Sequence, residues 1–323
     1  MQETQVASEQ FDDALFRRKR KNGTYDVIEA PDLPAFVADT HAHLHMLEDP
    51  SFSIARAACC GVRFIEGILD VCEDDLSVMD EFALWTRQAA VRVPRMVTVM
   101  YCCKPAPRVP KFRFAVGCHP HNAKDFDEAA EARLIEVLHD PRVSAVGEIG
   151  LDYHYDLSPR DVQREVFRRQ IRLAKEAGLP VVLHVREAHD DAFAILSEEG
   201  FPEAGTLLHC YNLGADELRR WVDEGCFVAF GGPVTFKKAD DVREAAAIVP
   251  RDRLLTETDA PYMTPEPLRG MKCGSEHVVF TAAKLIEVLC ADDPFGAEDL
   301  LKQMYDNAVG LLDRPLTVWQ KGE

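Results

Sequence analysis

Residues 144–184 read SAVGEIGLDYHYDLSPRDVQREVFRRQIRLAKEAGLPVVLH. Two short apolar runs, Ser144–Ile149 and Pro180–His184, flank a segment from Pro159 to Gly178 whose apolar residues recur at helical spacing and which ends on glycine. The order is strand, helix, strand. Outward from this unit the same alternation continues. Ala35–Asp39, Val62–Leu69 and Arg113–Gly117 precede it as candidate strands, and Thr206–His209, Phe227–Gly231 and Arg253–Glu257 follow. Eight βα units predict an α/β chain folded as a closed parallel (β/α)₈ TIM barrel, preceded by an N-terminal extension. The alternative is an open doubly wound sheet. That fold places a Gly-rich phosphate loop after its first strand, where this chain has Asp39-Thr40-His41-Ala42-His43.

The 323 residues, 47% hydrophobic and 28% charged, suffice for one large core, and no apolar run is long enough for a membrane span. Residues 1–34 are polar and irregular, and are expected to form an extension outside the main fold. Residues 35–315 form the expected catalytic domain. The proline-rich piece Lys104–Pro110 excludes a regular helix or central strand, so 91–111 is expected to be a surface insertion. The basic run Arg17–Lys21 lacks the apolar stretch of an export signal and reads as a solvated arm. The 10 cysteines show no CxxC pair, and the adjacent pairs Cys59-Cys60 and Cys102-Cys103 suit free thiols and a cytoplasmic setting. A net charge of −18 repels polyanions at long range. Any nucleic-acid substrate would therefore be held by local charge and metal, not by a basic face.

His41 and His43 are two residues apart at the end of the first strand and project to one side. Two converging imidazoles make half a metal site. The pattern then recurs: Glu148, His184 and His209 end the fourth, fifth and sixth strands, and Asp259 follows the eighth. In a barrel these ends share one rim. Four histidines and two carboxylates gathered there would be poorly solvated unless a cation compensated them. His119 and His121, at the end of the third strand, face the same rim and are candidates to contact a ligand. Arg186 suits a bidentate phosphate contact, while Tyr153 and Asn212 are candidate groove residues.

The chain resembles the TatD-related deoxyribonuclease family of amidohydrolase-like metal-dependent hydrolases. The matching blocks are DTHAHL (39–44), GCHPH (117–121), GEIGLDY (147–153), HVRE (184–187), HCYN (209–212) and TETDAPYMTPEPLR (256–269) with Gly270. They follow the family's order and span nearly all of residues 35–312. The resemblance implies two divalent cations, drawn from Zn²⁺, Mg²⁺ and Mn²⁺. His41, His43 and Asp259 would hold the first, His184 and His209 the second, with Glu148 bridging both. It also implies that the cation pair activates water, that Asp259 is the general base, and that Arg269 contacts substrate. The expected activity is exonucleolytic cleavage of phosphodiester bonds in DNA, at single strands or free ends. The same centre would also serve a lactonase, cyclic amidase or phosphotriesterase. A non-catalytic, metal-stabilised scaffold would have no use for the base Asp259. The chain departs from the family at His45, where an acidic or amide residue is usual, and at Met271–Glu276. Both departures lie near the expected substrate groove.

Overall fold

Eight parallel strands stand in chain order around the molecule. The computed structural model describes residues 14–96, the backbone of 97–100, and residues 106–293 and 296–322. A two-stranded antiparallel hairpin, β1 (Phe16–Lys19) and β2 (Tyr25–Ile28), comes first. The eight-stranded sheet then runs through β3 (Val37–Ala42), β4 (Val62–Asp70), β5 (Lys111–Gly117), β6 (Val143–Asp152), β7 (Val181–Arg186), β8 (Thr206–Leu208), β9 (Phe227–Phe230) and β10 (Leu254–Thr256). Its first and last strands meet. Ala42 and Ala260 form a parallel bridge, and the Thr256 hydroxyl donates to Ala38 O at 2.7 Å. The Asp259 N–H donates to His41 O at 2.9 Å. The sheet is thus closed into the (β/α)₈ barrel that the strand rhythm predicts.

The helices are α1 (Pro50–Cys59), α2 (Val78–Met100), α3 (Glu128–Val137), α4 (Arg160–Ala177), α5 (His189–Glu199), α6 (Ala215–Asp223), α7 (Asp240–Ile248), α8 (Val278–Leu289), α9 (Gly296–Leu312) and α10 (Val318–Lys321). Side chains from the strands fill the barrel interior: Ala38, Phe64, Ile68, Ala115, Ala145, Val182, Leu207, Ala229 and Leu255. Ala308, Leu311 and Leu312 of α9 pack beneath them. The Asn307 amide of α9 donates to Arg251 O at 2.8 Å and Leu254 O at 2.9 Å, where β10 begins. Helix α9 therefore plugs the end at which strands start. The other end, where they finish, is left for a site.

The structure departs from the sequence reading in three places. Glu148 and His184 lie inside strands rather than at their ends, because pairing of Gly150 with His184 and Asp152 with Arg186 extends β6 and β7. Residues 91–100 are not part of a surface excursion but continue α2 through Pro94. An internal proline costs a helix about 3 kcal/mol, and burial of Phe82, Ala89, Val93 and Met96 on one face of α2 offsets it. Cys102 and Cys103 lie outside the described residues. Residues 106–108 lie outside regular secondary structure, and the Ala106 and Arg108 carbonyls accept from the Arg63 guanidinium. Part of the N-terminal region is also neither irregular nor detached: residues 16–28 form the β1–β2 hairpin, while 29–34 have no regular secondary structure. Asn22-Gly23 makes a hairpin turn, with Gly23 at φ 86°. Phe16 is fully buried, its ring 4.8 Å from Phe280 and 5.2 Å from His277. The basic run is partly neutralised, since Arg18 and Arg20 both pair with Asp26.

Candidate metal centre

At the open end lies a cavity of about 510 Å³, lined by His43, His119, His121, Glu148, His184 and Asp259 among others. His41 is fully buried and does not line the cavity; its ring stacks at 3.8 Å on that of His209, which does. Glu148 is the hub. Its Oε2 is 3.4 Å from His41 Nε2 and 3.8 Å from His43 Nε2. Its Oε1 is 2.7 Å from both His184 Nδ1 and His209 Nε2. One carboxylate thus turns one oxygen to each pair of histidines. Asp259 Oδ1 lies 3.9 Å from His41 Nε2 and 3.8 Å from His43 Nε2. The structure brings together all six residues singled out at the strand ends.

Donor atoms lie mutually within 4.8 Å in several groups here, among them His41, His43 and Asp259; His41, Glu148 and His209; and His119, His121 and His184. Neither ring nitrogen of His41 meets a hydrogen-bond partner among the described residues, although the ring is 0% exposed. A buried polar group without a partner costs roughly 1–3 kcal/mol. A cation accepted by these imidazole and carboxylate donors removes that penalty, so the residues present fit a divalent metal.

The charges are tuned by burial and by each other. Burial drives His43 down to about 3, with His41 adding to the effect. Burial also pushes Asp259 up to about 6. For Glu148 burial acts upward, but His209 and His41 outweigh it and hold the carboxyl well below its usual range. For His184 and His209 burial acts downward. Asp152 and Glu148 raise His184 nonetheless, and Glu148 and Glu257 raise His209 well above the usual imidazole range.

The candidate substrate residues divide. His119 and His121 line the cavity; His119 Nε2 is 3.2 Å from His184 Nδ1, and His121 Nε2 is 2.9 Å from Asp152 Oδ2. Arg186 and Asn212 also line it. Tyr153 does not. Its hydroxyl donates to Asp191 at 2.6 Å, and it lines a separate depression with Glu187, His189 and Glu217. Tyr153 comes directly after the inward-facing Asp152 that closes β6, and its N–H still donates to Arg186 O at 3.0 Å, so alternation carries its ring to the other face. Arg269 is also outside the cavity. It is exposed, with its guanidinium 4.1 Å from the Phe236 ring centroid.

Sequence reasoning missed the residues that orient the histidines. Buried Asp152 Oδ2 accepts from His184 Nε2 at 3.0 Å and from His121, which leaves His184 Nδ1 facing Glu148. Glu257, also fully buried, has Oε1 3.5 Å from His209 Nδ1, on the far side of the ring from Glu148. Such outer carboxylates fix the ring orientation of metal-binding histidines. Period-two spacing from Glu148 points to Asp152. Asp70, which closes β4, was legible by the strand-end rule already applied to its neighbours. It accepts from the His119 N–H at 2.9 Å and from the Asn122 amide, and burial lifts it to about 6. Tyr155 and Tyr262 at the rim carry no comparable signal.

Known proteins match this arrangement. The family model described as TatD related DNase covers residues 38–313. The Bacillus subtilis (strain 168) protein named uncharacterized metal-dependent hydrolase YabD is 44% identical over 174 residues, 54% of this chain and 68% of that protein. The 3'-5' ssDNA/RNA exonuclease TatD of Pantoea vagans (strain C9-1) is 39% identical over 155 residues, 47% of this chain and 59% of that protein. Among solved structures, the TatD homologue YjjV of Escherichia coli K12 superposes with a TM-score of 0.71 at 26% identity, covering 86% of this chain and 98% of that one. With a closed barrel and a buried His–carboxylate cluster at its open end, the chain belongs to the TatD-related DNase family and is a metal-dependent hydrolase.

Proposed function

We propose that the protein is an exonuclease that hydrolyses phosphodiester bonds at the free ends of single-stranded DNA. The observation that carries this reading is Glu148, set between two pairs of histidines with one oxygen toward each. On this reading His41, His43 and Asp259 would hold one divalent cation and His184 and His209 a second, with Glu148 placed to serve both. When bound, the pair would neutralise charge on the phosphoryl oxygens and acidify water at the centre.

The protein's own groups do the rest. Asp259, raised to about 6 by burial, accepts the proton of the attacking water near neutral pH. Asp152 keeps the His184 ring turned toward Glu148, and the Glu257 carboxylate faces His209 Nδ1 from the far side of that ring. Arg186, at the cavity wall, takes a phosphate by a paired contact. His119 and His121 lie beside His184, within reach of a phosphate's remaining oxygens. The cavity admits an end more readily than the middle of a duplex. The activity named for the Pantoea vagans relative supports the substrate class.

The test is release of nucleotides from end-labelled oligonucleotides by protein loaded with Mg²⁺, Mn²⁺ or Zn²⁺. No release with any metal rejects the reading. Asp259→Asn is expected to lower kcat by about 10²–10⁴ while leaving the circular dichroism spectrum intact. Unchanged turnover would remove Asp259 from the role of base.

A further inference from the structure

Eleven large hydrophobic side chains are exposed among the described residues, and four of them, Met46, Tyr155, Tyr262 and Met263, line the one cavity that holds the metal centre. Exposed apolar residues scattered singly are ordinary; a group gathered around one pocket marks a binding surface. The two tyrosines stand opposite each other in the fold. Tyr155 follows β6, the fourth barrel strand, and Tyr262 follows β10, the eighth; in a closed ring of eight these lie across the mouth.

Each tyrosine is 53% exposed and each is anchored to the centre. The Tyr155 N–H donates to Asp152 Oδ1 at 2.8 Å, and its ring stands perpendicular to His121 at 5.4 Å and His154 at 4.9 Å. The Arg186 guanidinium lies 4.7 Å from its centroid. The Tyr262 N–H donates to Asp259 O at 2.7 Å; its hydroxyl reaches Met46 Sδ at 3.7 Å and its ring is 6.4 Å from His43.

We infer that Tyr155 and Tyr262 form a two-sided platform that stacks the unpaired bases at a nucleic-acid end, with Arg186 holding a phosphate alongside. This deepens the exonuclease reading and rests on it. Every base presents a π face, so such a platform grips any sequence. A base inside a duplex already has both faces covered and must leave the stack to be taken, which selects unpaired ends. The β4 side of the cavity carries Asp70, Glu73 and Asp74, which repel a phosphate. The strand therefore leaves past Arg186 on the opposite wall.

The test uses the full, metal-loaded chain and single-stranded oligonucleotides whose terminal nucleotides are either natural or abasic. The natural end is expected to be released with a kcat/KM higher by about 5- to 100-fold, carried mainly by KM. Tyr155→Leu and Tyr262→Leu are expected to shrink that preference toward one, and Tyr155→Phe to keep it. Equal rates from natural and abasic ends in the unaltered protein would overturn the platform while leaving the exonuclease intact, as would leucine variants that slow both ends equally. Failure to hydrolyse any oligonucleotide would instead overturn the exonuclease reading, and the platform with it. The comparison of the two ends in the unaltered protein decides the matter even if a variant does not fold.

Discussion

Asp152 shows how much a single side chain outside the donor set can govern. Both of its oxygens are engaged: Oδ1 by the His154 and Tyr155 N–H groups, Oδ2 by His121 and His184. Asp152→Ala frees the His184 ring to rotate, and metal affinity measured by competition with a chelator is expected to fall by about 10- to 100-fold. Protons compete for the same atoms. In the metal-free centre the shifts run both ways: His43 and Glu148 hold a proton less readily than free side chains, whereas Asp152 and Glu148 raise His184, Glu148 raises His209 and burial raises Asp259, so these three hold one more tightly. A metal must displace those protons, and a higher pH removes them in advance. Metal uptake is therefore expected to release protons and to tighten as pH rises from about 6 to about 8. Calorimetry in buffers of different ionisation enthalpy reads both quantities; affinity that weakens with rising pH would contradict the assignment.

Strands β6 and β7 carry Glu148, Asp152, His184 and Arg186 between them, and their register depends on Gly150. That residue sits at φ 145°, and a Cβ there would lie 2.0 Å from His184 O. Gly150→Ala is expected to cost about 4 kcal/mol or more, because the pair must separate. Thermal denaturation and bound-metal content should fall together. A variant with normal melting and full metal content would show that the two strands have slack that the structure does not indicate. Helix α2 shows an opposite balance: Pro94 is a local defect, but burial of the helix face carries the element through it.

The barrel as a whole sets how a polyanion is met. The protein carries −18, and among the described residues Arg186 is the only lysine or arginine lining the cavity. With about one phosphate contact, KM for a single-stranded oligonucleotide should change by less than about 3-fold between 50 and 200 mM salt. A steep loss of affinity over that range would mean a basic track elsewhere on the surface. The barrel itself was legible, because each βα unit writes its own apolar period and eight such periods close only a few ways. That the six candidate donors meet was legible because strands in a parallel barrel finish toward one rim, so position in the chain converts to position in space. Chain order carried no comparable information about Tyr153 and Arg269. Tyr153 lies one residue from an inward-facing carboxylate yet points outward, and Arg269 belongs to a family block yet stacks on Phe236 outside the cavity. Nor could it show that Phe16, in a polar N-terminal stretch, is buried against α8. The sequence by itself determined the eight barrel strands and which donors share the barrel mouth, since periodicity and strand order are local properties. Only the tertiary structure decided which rim side chains face inward and which carboxylates hold the histidine rings, since those depend on packing between residues far apart in the chain.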